Sequence, residues 1–375
     1  MKIIDYIKQD IKYLPLYQSG KPSELSMEEL KVDFIKLSSN ENPFGSSKTI
    51  SKVLYDSLTN LHVYPDGSCT LLKQTLSKFH NIDYDQIIVG NGSDEIIDFA
   101  IQMMVQPGDE VIMANPSFIK YDLTVKKSEG KSVKVSLNDQ YNHDLDQMIQ
   151  KITDKTKVIF ICSPNNPTGT LVNNEDLSKF IERVPSHILI VIDGAYYEYV
   201  TNLDQLYSIN HVIQKDNVLL LRTFSKIYGL ASLRVGYGIA NKALIAMLDR
   251  VRGPFNVNAL AQKGAEAALS DQNHVKRSKE LNELGKHYLY KQLEEYGFSY
   301  IPTEGNFIMI QLDIDSDSVY KRMLANGIII RSGNKLGMPN WIRVTIGKMD
   351  DNEKFISILK QIKGSVEDGG CNESE

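Results

Sequence analysis

The chain is poor in the residues that staple or metallate a protein. Its three cysteines, Cys69, Cys162 and Cys371, lie far apart, so neither a disulfide framework nor a cysteine metal site is expected. Its seven histidines form no H-x-x-x-H or H-E-x-x-H pattern, and no metal is expected in the chemistry. No apolar run nears the roughly 20 residues of a membrane helix. Residues 1–10 alternate charged and apolar types instead of building a signal-peptide core, so a cytoplasmic protein without a membrane partner is expected. Lys and Arg number 42 against 47 Asp and Glu, a net charge of −5, and no basic block stands out, which argues against a nucleic-acid partner. No internal repeat is visible.

What is present is an ordinary soluble balance, 42% hydrophobic and 24% charged over 375 residues, long enough for two domains. From Gln86 onward, short apolar runs alternate with helical stretches: I-I-V-G, V-I-M-A, K-V-I-F-I-C, I-L-I-V-I-D, V-L-L-L-R-T-F and V-G-Y-G-I-A. That rhythm predicts an α/β fold, with a large domain whose mainly parallel sheet is covered by helices on both faces. Past Arg252 the pattern changes to two helices, then three strand-like runs, N-F-I-M-I-Q-L, G-I-I-I-R and W-I-R-V-T-I-G, covered by two more helices at Ser316 to Asn326 and Asp351 to Ile362, which predict a smaller α+β domain. The expected division is an N-terminal arm over 1–31, a large domain over 32–252, a small domain over 253–364 and an acidic tail over 365–375. The tail has no apolar pattern and reads as disordered.

In open α/β sheets, ligands bind at the carboxyl ends of the strands, and the unusual polar residues follow the strand-like runs. Gly92, Ser93 and Asp94 lie between a strand and a helix, where free N–H groups and the helix dipole favour a phosphate, although an ordinary capped turn reads the same way. Asn166 sits in S-P-N-N-P-T-G, a turn more elaborate than a plain connection requires. Asp193 ends a wholly apolar strand, where a buried carboxylate needs a cationic or hydrogen-bonded partner; a structural ion pair is the bland alternative. Lys226, in T-F-S-K-I-Y-G, is an amine set just past an apolar run, with Thr223, Ser225 and Arg234 close by in sequence to hold an anion. An amine attacks carbonyls only when neutral, which desolvation favours; a snorkelling surface lysine is the alternative. Together these groups suit pyridoxal phosphate, which offers an aldehyde, a phosphate and a protonatable ring nitrogen. Arg331 and Arg343, on or beside apolar strands, suit bidentate capture of a carboxylate or phosphate, with surface ion pairs as the plain reading. Tyr17 and Tyr64 could donate a hydroxyl, but 19 tyrosines make that weak without a fold.

The ordered set G-N-G-S-D, S-P-N-N-P-T-G, I-D-G-A-Y, T-F-S-K with S-L-R-V-G-Y, and I-R-V-T-I-G resembles the fold type I pyridoxal-phosphate-dependent aminotransferases, from about Tyr13 to Ile362. The segments P-L-Y-Q-S-G, L-S-S-N-E-N-P-F-G, V-Y-P-D-G, R-T-F-S-K-I-Y-G-L-A and I-I-I-R-S-G-N resemble the histidinol-phosphate aminotransferase subgroup. The resemblance implies a ping-pong transamination between L-glutamate/2-oxoglutarate and imidazole acetol phosphate/L-histidinol phosphate, in histidine biosynthesis. It implies Lys226 as covalent anchor and proton shuttle, Asp193 on the ring nitrogen, Asn166 and Tyr196 on the ring's phenolate oxygen, and Phe118 stacked on the ring. The phosphate cup would comprise Gly92, Ser93, Asp94, Thr223, Ser225 and Arg234. Tyr64 would reach the cofactor of a neighbouring subunit, which implies a homodimer with shared active sites. Arg343 would take the α-carboxylate of glutamate, Tyr17, Arg331 and Arg343 the substrate phosphate end, and Asn42 is a weaker addition. Gly194, Ser232 and Ser117 depart from the usual glutamate, glycine and threonine. The same features leave open an aromatic amino-acid aminotransferase, a phosphothreonine decarboxylase, or a non-catalytic regulator that kept the fold.

Overall fold

Residues 3–12, 14 and 34–369 are described by the structure, a computed structural model. Its centre is a seven-stranded sheet in the order β2-β8-β7-β6-β5-β3-β4. The strands are β2 (Ile87–Gly90), β3 (Glu110–Asn115), β4 (Lys131–Ser136), β5 (Thr156–Cys162), β6 (Leu189–Asp193), β7 (Val218–Thr223) and β8 (Gly236–Ile239). All pair in parallel except β8, which runs antiparallel to both neighbours. The expected mainly parallel sheet is therefore present.

Strand alternation builds two cores from one sheet. In β5, Val158, Phe160 and Cys162 face a cluster with Ile97, Phe99 and Ile101 of the helix Ser93–Met104 and Tyr121 and Val125 of the helix Ile119–Lys127. Ile159 and Ile161 face the opposite cluster, which holds Leu72 and Leu76, Leu177 and Phe180, and Ala261 and Ala265. Both faces are dry, which is why these strands read as unbroken apolar runs and not as alternating ones.

The smaller domain is a four-stranded antiparallel sheet, β12-β13-β10-β9, of β9 (Tyr300–Ile301), β10 (Phe307–Gln311), β12 (Arg331–Ser332) and β13 (Trp341–Thr345). The helices Ser316–Ala325 and Met349–Gly369 pack on it, with Val319, Met323, Phe355 and Leu359 in its core. No sequence signal pointed to β9, the helix Lys242–Val251 or the short helix Ile209–Gln214.

Three expected boundaries shift. Strand β1 (Ile35–Lys36), placed in the large domain by sequence order, pairs in parallel with β11 (Ile328–Ile329), and Leu37 packs into the small domain's core. The helix Ala259–Ser270, expected in the small domain, belongs to the large-domain core through Ala261, Ala265, Ala268 and Leu269. The next helix, Gln272–Glu295, reaches the small-domain core only near its end, at Leu289 and Leu293, so it bridges the two units. The last helix continues to Gly369, so residues 365–369 extend it where a disordered tail was expected; 370–375, with Cys371, lie outside the described residues. Among the described residues, no helix is long and apolar enough to cross a membrane.

Candidate active site

The carboxyl ends of β2, β3, β5, β6 and β7 open into one pocket of about 500 Å³, closed on its far side by β12 and β13. Of the residues singled out in the sequence, Ser93, Asp94, Phe118, Asn166, Asp193, Tyr196, Thr223, Ser225, Lys226, Arg234, Arg331 and Arg343 all line it.

Lys226 lies on the loop after β7, and its Nζ donates to the Ser39 carbonyl at 3.2 Å and lies 5.4 Å from the centre of the Tyr196 ring. Burial, with the Arg343 guanidinium adding to it, pushes the amine down to about 8. Asp193 is 2% exposed; Tyr121 donates to its Oδ2 at 2.8 Å and the Ala195 N–H to its Oδ1 at 3.1 Å. Burial pushes this carboxyl up to about 6, against the Tyr121 hydrogen bond, which pulls it down. Among the described residues, no lysine or arginine forms an ion pair with it. A buried carboxylate facing a pocket without a cationic partner is what a protonated ring nitrogen would complement.

The helix Ser93–Met104 starts at this rim. Its N-cap Gly92, at φ +77°, makes no side-chain cap, so the first N–H groups remain for an anion. A Cβ at Gly92 would stand 2.6 Å from Arg234 Nη2, so the guanidinium would have to shift, and the positive φ is itself strained for a side chain. Arg234, itself in the left-handed region at φ +55°, donates to Ser225 Oγ and to the Ala231 carbonyl, both at 3.1 Å, and lies 3.6 Å from Asp94. Backbone amides, two hydroxyls and a guanidinium thus meet at one rim, and the residues present fit a cofactor phosphate.

On the opposite wall, Tyr196 Oη accepts from Asn40 Nδ2 at 3.0 Å and from Asn166 Nδ2 at 3.3 Å. Arg343 donates to Asn166 Oδ1 at 2.5 Å and to the Ser38 carbonyl at 2.9 Å. Arg331 and Arg343 are direct register partners on β12 and β13, which sets two guanidinium-bearing positions side by side at the pocket. Phe118 packs edge-on against Tyr121, ring centres 5.6 Å apart at 89°.

Some expected residues fall elsewhere. Asn42 is a brace, not a pocket residue: its amide donates to the Ile227 carbonyl and Ser278 Oγ, and its carbonyl accepts from the Phe44 N–H. The pocket asparagine of L-S-S-N-E-N is Asn40, at φ +55°, a conformation asparagine tolerates better than most residues. Two asparagines two residues apart gave no sequence basis for choosing between them. Tyr64 is 78% exposed and stacks on Phe255, away from its own chain's pocket. Tyr17 lies outside the described residues. The departure at Gly194 has a structural counterpart, because Arg222, 3% exposed, fills that space: an added Cβ would stand 1.8 Å from its Nη1. The Arg222 guanidinium lies 3.5 Å from the Tyr197 ring centre. Sequence reasoning also missed Ser38 and Ser39, although they lie in the quoted segment L-S-S-N-E-N-P-F-G, and Tyr121 beneath the pocket, which no local pattern marks.

Residues 32–359 match the family model for aminotransferases of class I and II. A histidinol-phosphate aminotransferase of Caldicellulosiruptor saccharolyticus is 45% identical over 356 residues, covering 95% of this chain and 99% of the relative. One of Moorella thermoacetica is 44% identical over 348 residues, covering 92% and 90%. Among solved structures, a histidinol-phosphate aminotransferase of Sinorhizobium meliloti in complex with pyridoxal-5'-phosphate superposes with a TM-score of 0.88 over 96% of this chain and 98% of that one; at 23% identity, this likeness establishes the fold.

Proposed function

Because the chain belongs to the class I and II aminotransferases, in their histidinol-phosphate branch, we propose that it moves an amino group from L-glutamate to imidazole acetol phosphate. The products are 2-oxoglutarate and L-histidinol phosphate, a step of histidine biosynthesis. The observation that carries this reading is the pairing of Arg331 with Arg343 at one pocket that also holds a buried amine and a buried acid. One half-reaction presents a carboxylate and the other a phosphate, and adjacent guanidinium groups accept either bidentately.

Bound here, pyridoxal phosphate supplies the carbonyl that carries the amino group and a ring that accepts electron density from the substrate Cα. Ser93, Asp94, Thr223, Ser225 and Arg234 would grip its phosphate, with Gly92 leaving the space. Asp193 would face the ring nitrogen, Asn166 and Tyr196 the ring oxygen, and Phe118 a ring face. Lys226 would anchor the group and, as a neutral amine, take the proton from the substrate Cα and return it on the product side. Asn40 shares the Tyr196 hydroxyl with Asn166 and belongs to the same set.

A steady-state comparison of L-histidinol phosphate, phenylalanine and tyrosine as amino donors to 2-oxoglutarate tests the substrate. A kcat/KM for L-histidinol phosphate at least about tenfold above either aromatic donor is expected, since a site built for a dianion leaves charges unpaired without one. Preference for an aromatic donor would replace the named substrate, and carbon dioxide released from phosphothreonine, offered in a parallel assay, would point to a decarboxylase.

The assembly proposed is a homodimer in which Tyr64 enters the neighbouring pocket. Exposed Tyr55, Leu58, Leu61, Val63 and Tyr64, with Phe255 stacked on Tyr64, form more apolar surface than isolated exposed side chains do, and a second copy would cover it. Sedimentation equilibrium should give twice the chain mass at assay concentrations; an active monomer would sink the idea. A cytoplasmic setting is part of the same proposal, supported by two buried free thiols, Cys69 and Cys162, and cell fractionation tests it.

A further inference from the structure

We propose that Tyr121 is the positioning residue for the pyridine-facing acid, holding the Asp193 carboxylate in one orientation and in its ionised form. The inference rests on the cofactor reading given above and adds to it a residue that touches neither cofactor nor substrate.

Asp193 receives one protein donor on each oxygen, the Tyr121 hydroxyl at 2.8 Å and the Ala195 N–H at 3.1 Å. The backbone donor belongs to the same short turn as Asp193 and moves with it. The hydroxyl comes from another element, the helix Ile119–Lys127, 72 residues away in sequence, and is the contact that ties the carboxylate to the rest of the domain. Tyr121 itself cannot turn. It is fully buried, its ring lies parallel to Phe160 at 4.3 Å and 5°, and Phe118 meets it edge-on at 5.6 Å and 89°. One side chain therefore fixes the acid and also supports the aromatic residue at the pocket wall.

The sign of its electrostatic effect follows from its chemistry. A hydroxyl donating to a carboxylate stabilises the charged form, so its loss raises the acid's pKa and favours a neutral carboxyl. The other groups facing Asp193 do not substitute for it. Asp94, from the helix Ser93–Met104, opposes ionisation, while Arg222 of β7 acts at longer range and more weakly than the hydroxyl. Cys162 of β5 and Tyr196 are held neutral by burial.

The test uses full-length Tyr121→Phe, which keeps the ring and both aromatic contacts and removes only the hydroxyl. Dissociation constants are measured for pyridoxal phosphate and for its analogue with carbon in place of the ring nitrogen. The original chain should bind pyridoxal phosphate more tightly than the analogue, and Tyr121→Phe should lose about tenfold of that preference while binding the analogue as before. In an Asp193→Asn background, the same change should leave the ratio untouched. A variant that weakens both ligands equally, or that keeps the full preference, would overturn the proposal. If the original chain does not discriminate between the ligands, the assignment of Asp193 to the ring nitrogen falls, and the proposal with it.

Discussion

Replacing Lys226 with alanine should reduce steady-state transamination by at least about ten-thousandfold, because one side chain carries two tasks. In the proposed function it is the covalent anchor and the base that moves the Cα proton, and general acid–base catalysis alone is worth roughly 10²–10⁴ in rate. The phosphate rim, Asp193 and Asn166 do not depend on the amine, so Lys226→Ala should still take up pyridoxal phosphate. An alanine variant with near-normal turnover would sink the central assignment. A pH arm gives the same amine a second reading. Burial and the Arg343 charge hold it at about 8, and only the neutral form attacks a carbonyl. The rate at which the cofactor-free protein captures pyridoxal phosphate should therefore rise about tenfold per pH unit below 8 and level off above it. A rate independent of pH between about 6 and 8 would show that the amine is already neutral and that burial has acted more strongly than this.

Asp193→Asn should lower both activity and cofactor affinity by about two to four orders of magnitude, since removing one partner of a buried charge pair costs about 3–5 kcal/mol. The direction of its pH dependence is fixed by the same burial. The carboxyl sits at about 6, above its ordinary value, so the charge proposed to meet the ring nitrogen is present above that pH and lost below it. Cofactor affinity of the original chain should fall as pH drops through about 6, and the asparagine variant should lack that dependence. The cofactor-free protein should respond in the opposite sense. A carboxyl whose folded pKa is raised makes folding less favourable as pH climbs from its unfolded value to its folded one. At pH near 7, the cofactor-free asparagine variant should therefore melt no lower than the original chain, and its stability should be greater by something on the order of 1–3 kcal/mol. An isosteric amide that loses activity and keeps stability is the signature of a functional acid; equal loss of both would identify a structural one.

The strands of the large domain were legible because each is an apolar run bounded by turn residues, and burial on both sheet faces demands that pattern. The site was legible for a related reason. Parallel strands all end at one edge, so polar residues placed just after Val89, Cys162 and Thr223, and Asp193 at its own strand end, must converge, whatever the details of packing. Arg343 stood out because a charge at the centre of W-I-R-V-T-I needs a purpose, and it lies among the pocket residues.

Local pattern could not choose between Asn40 and Asn42. Both sit in one turn-rich loop, and the choice depends on whether the amide meets Tyr196 from 156 residues away or Ile227 and Ser278 from the other side. Nor could it assign β1, whose partner β11 lies almost three hundred residues later (about 290 by position, a parallel pairing that needs a crossover), so that the chain's early segment completes the late domain.

The residue types and their order along the chain thus determined the parallel sheet and the converging loops, which follow from hydrophobic period and strand direction, while the class of chemistry rested on the polar residues in those loops and on the ordered motifs that resemble a known family. Tertiary structure decided which asparagine lines the pocket, which elements pack into each core, and that a buried phenol from another helix donates to the acid at the pocket wall. Those outcomes are contacts between distant segments, and their energies depend on side-chain orientation and burial that no local pattern encodes.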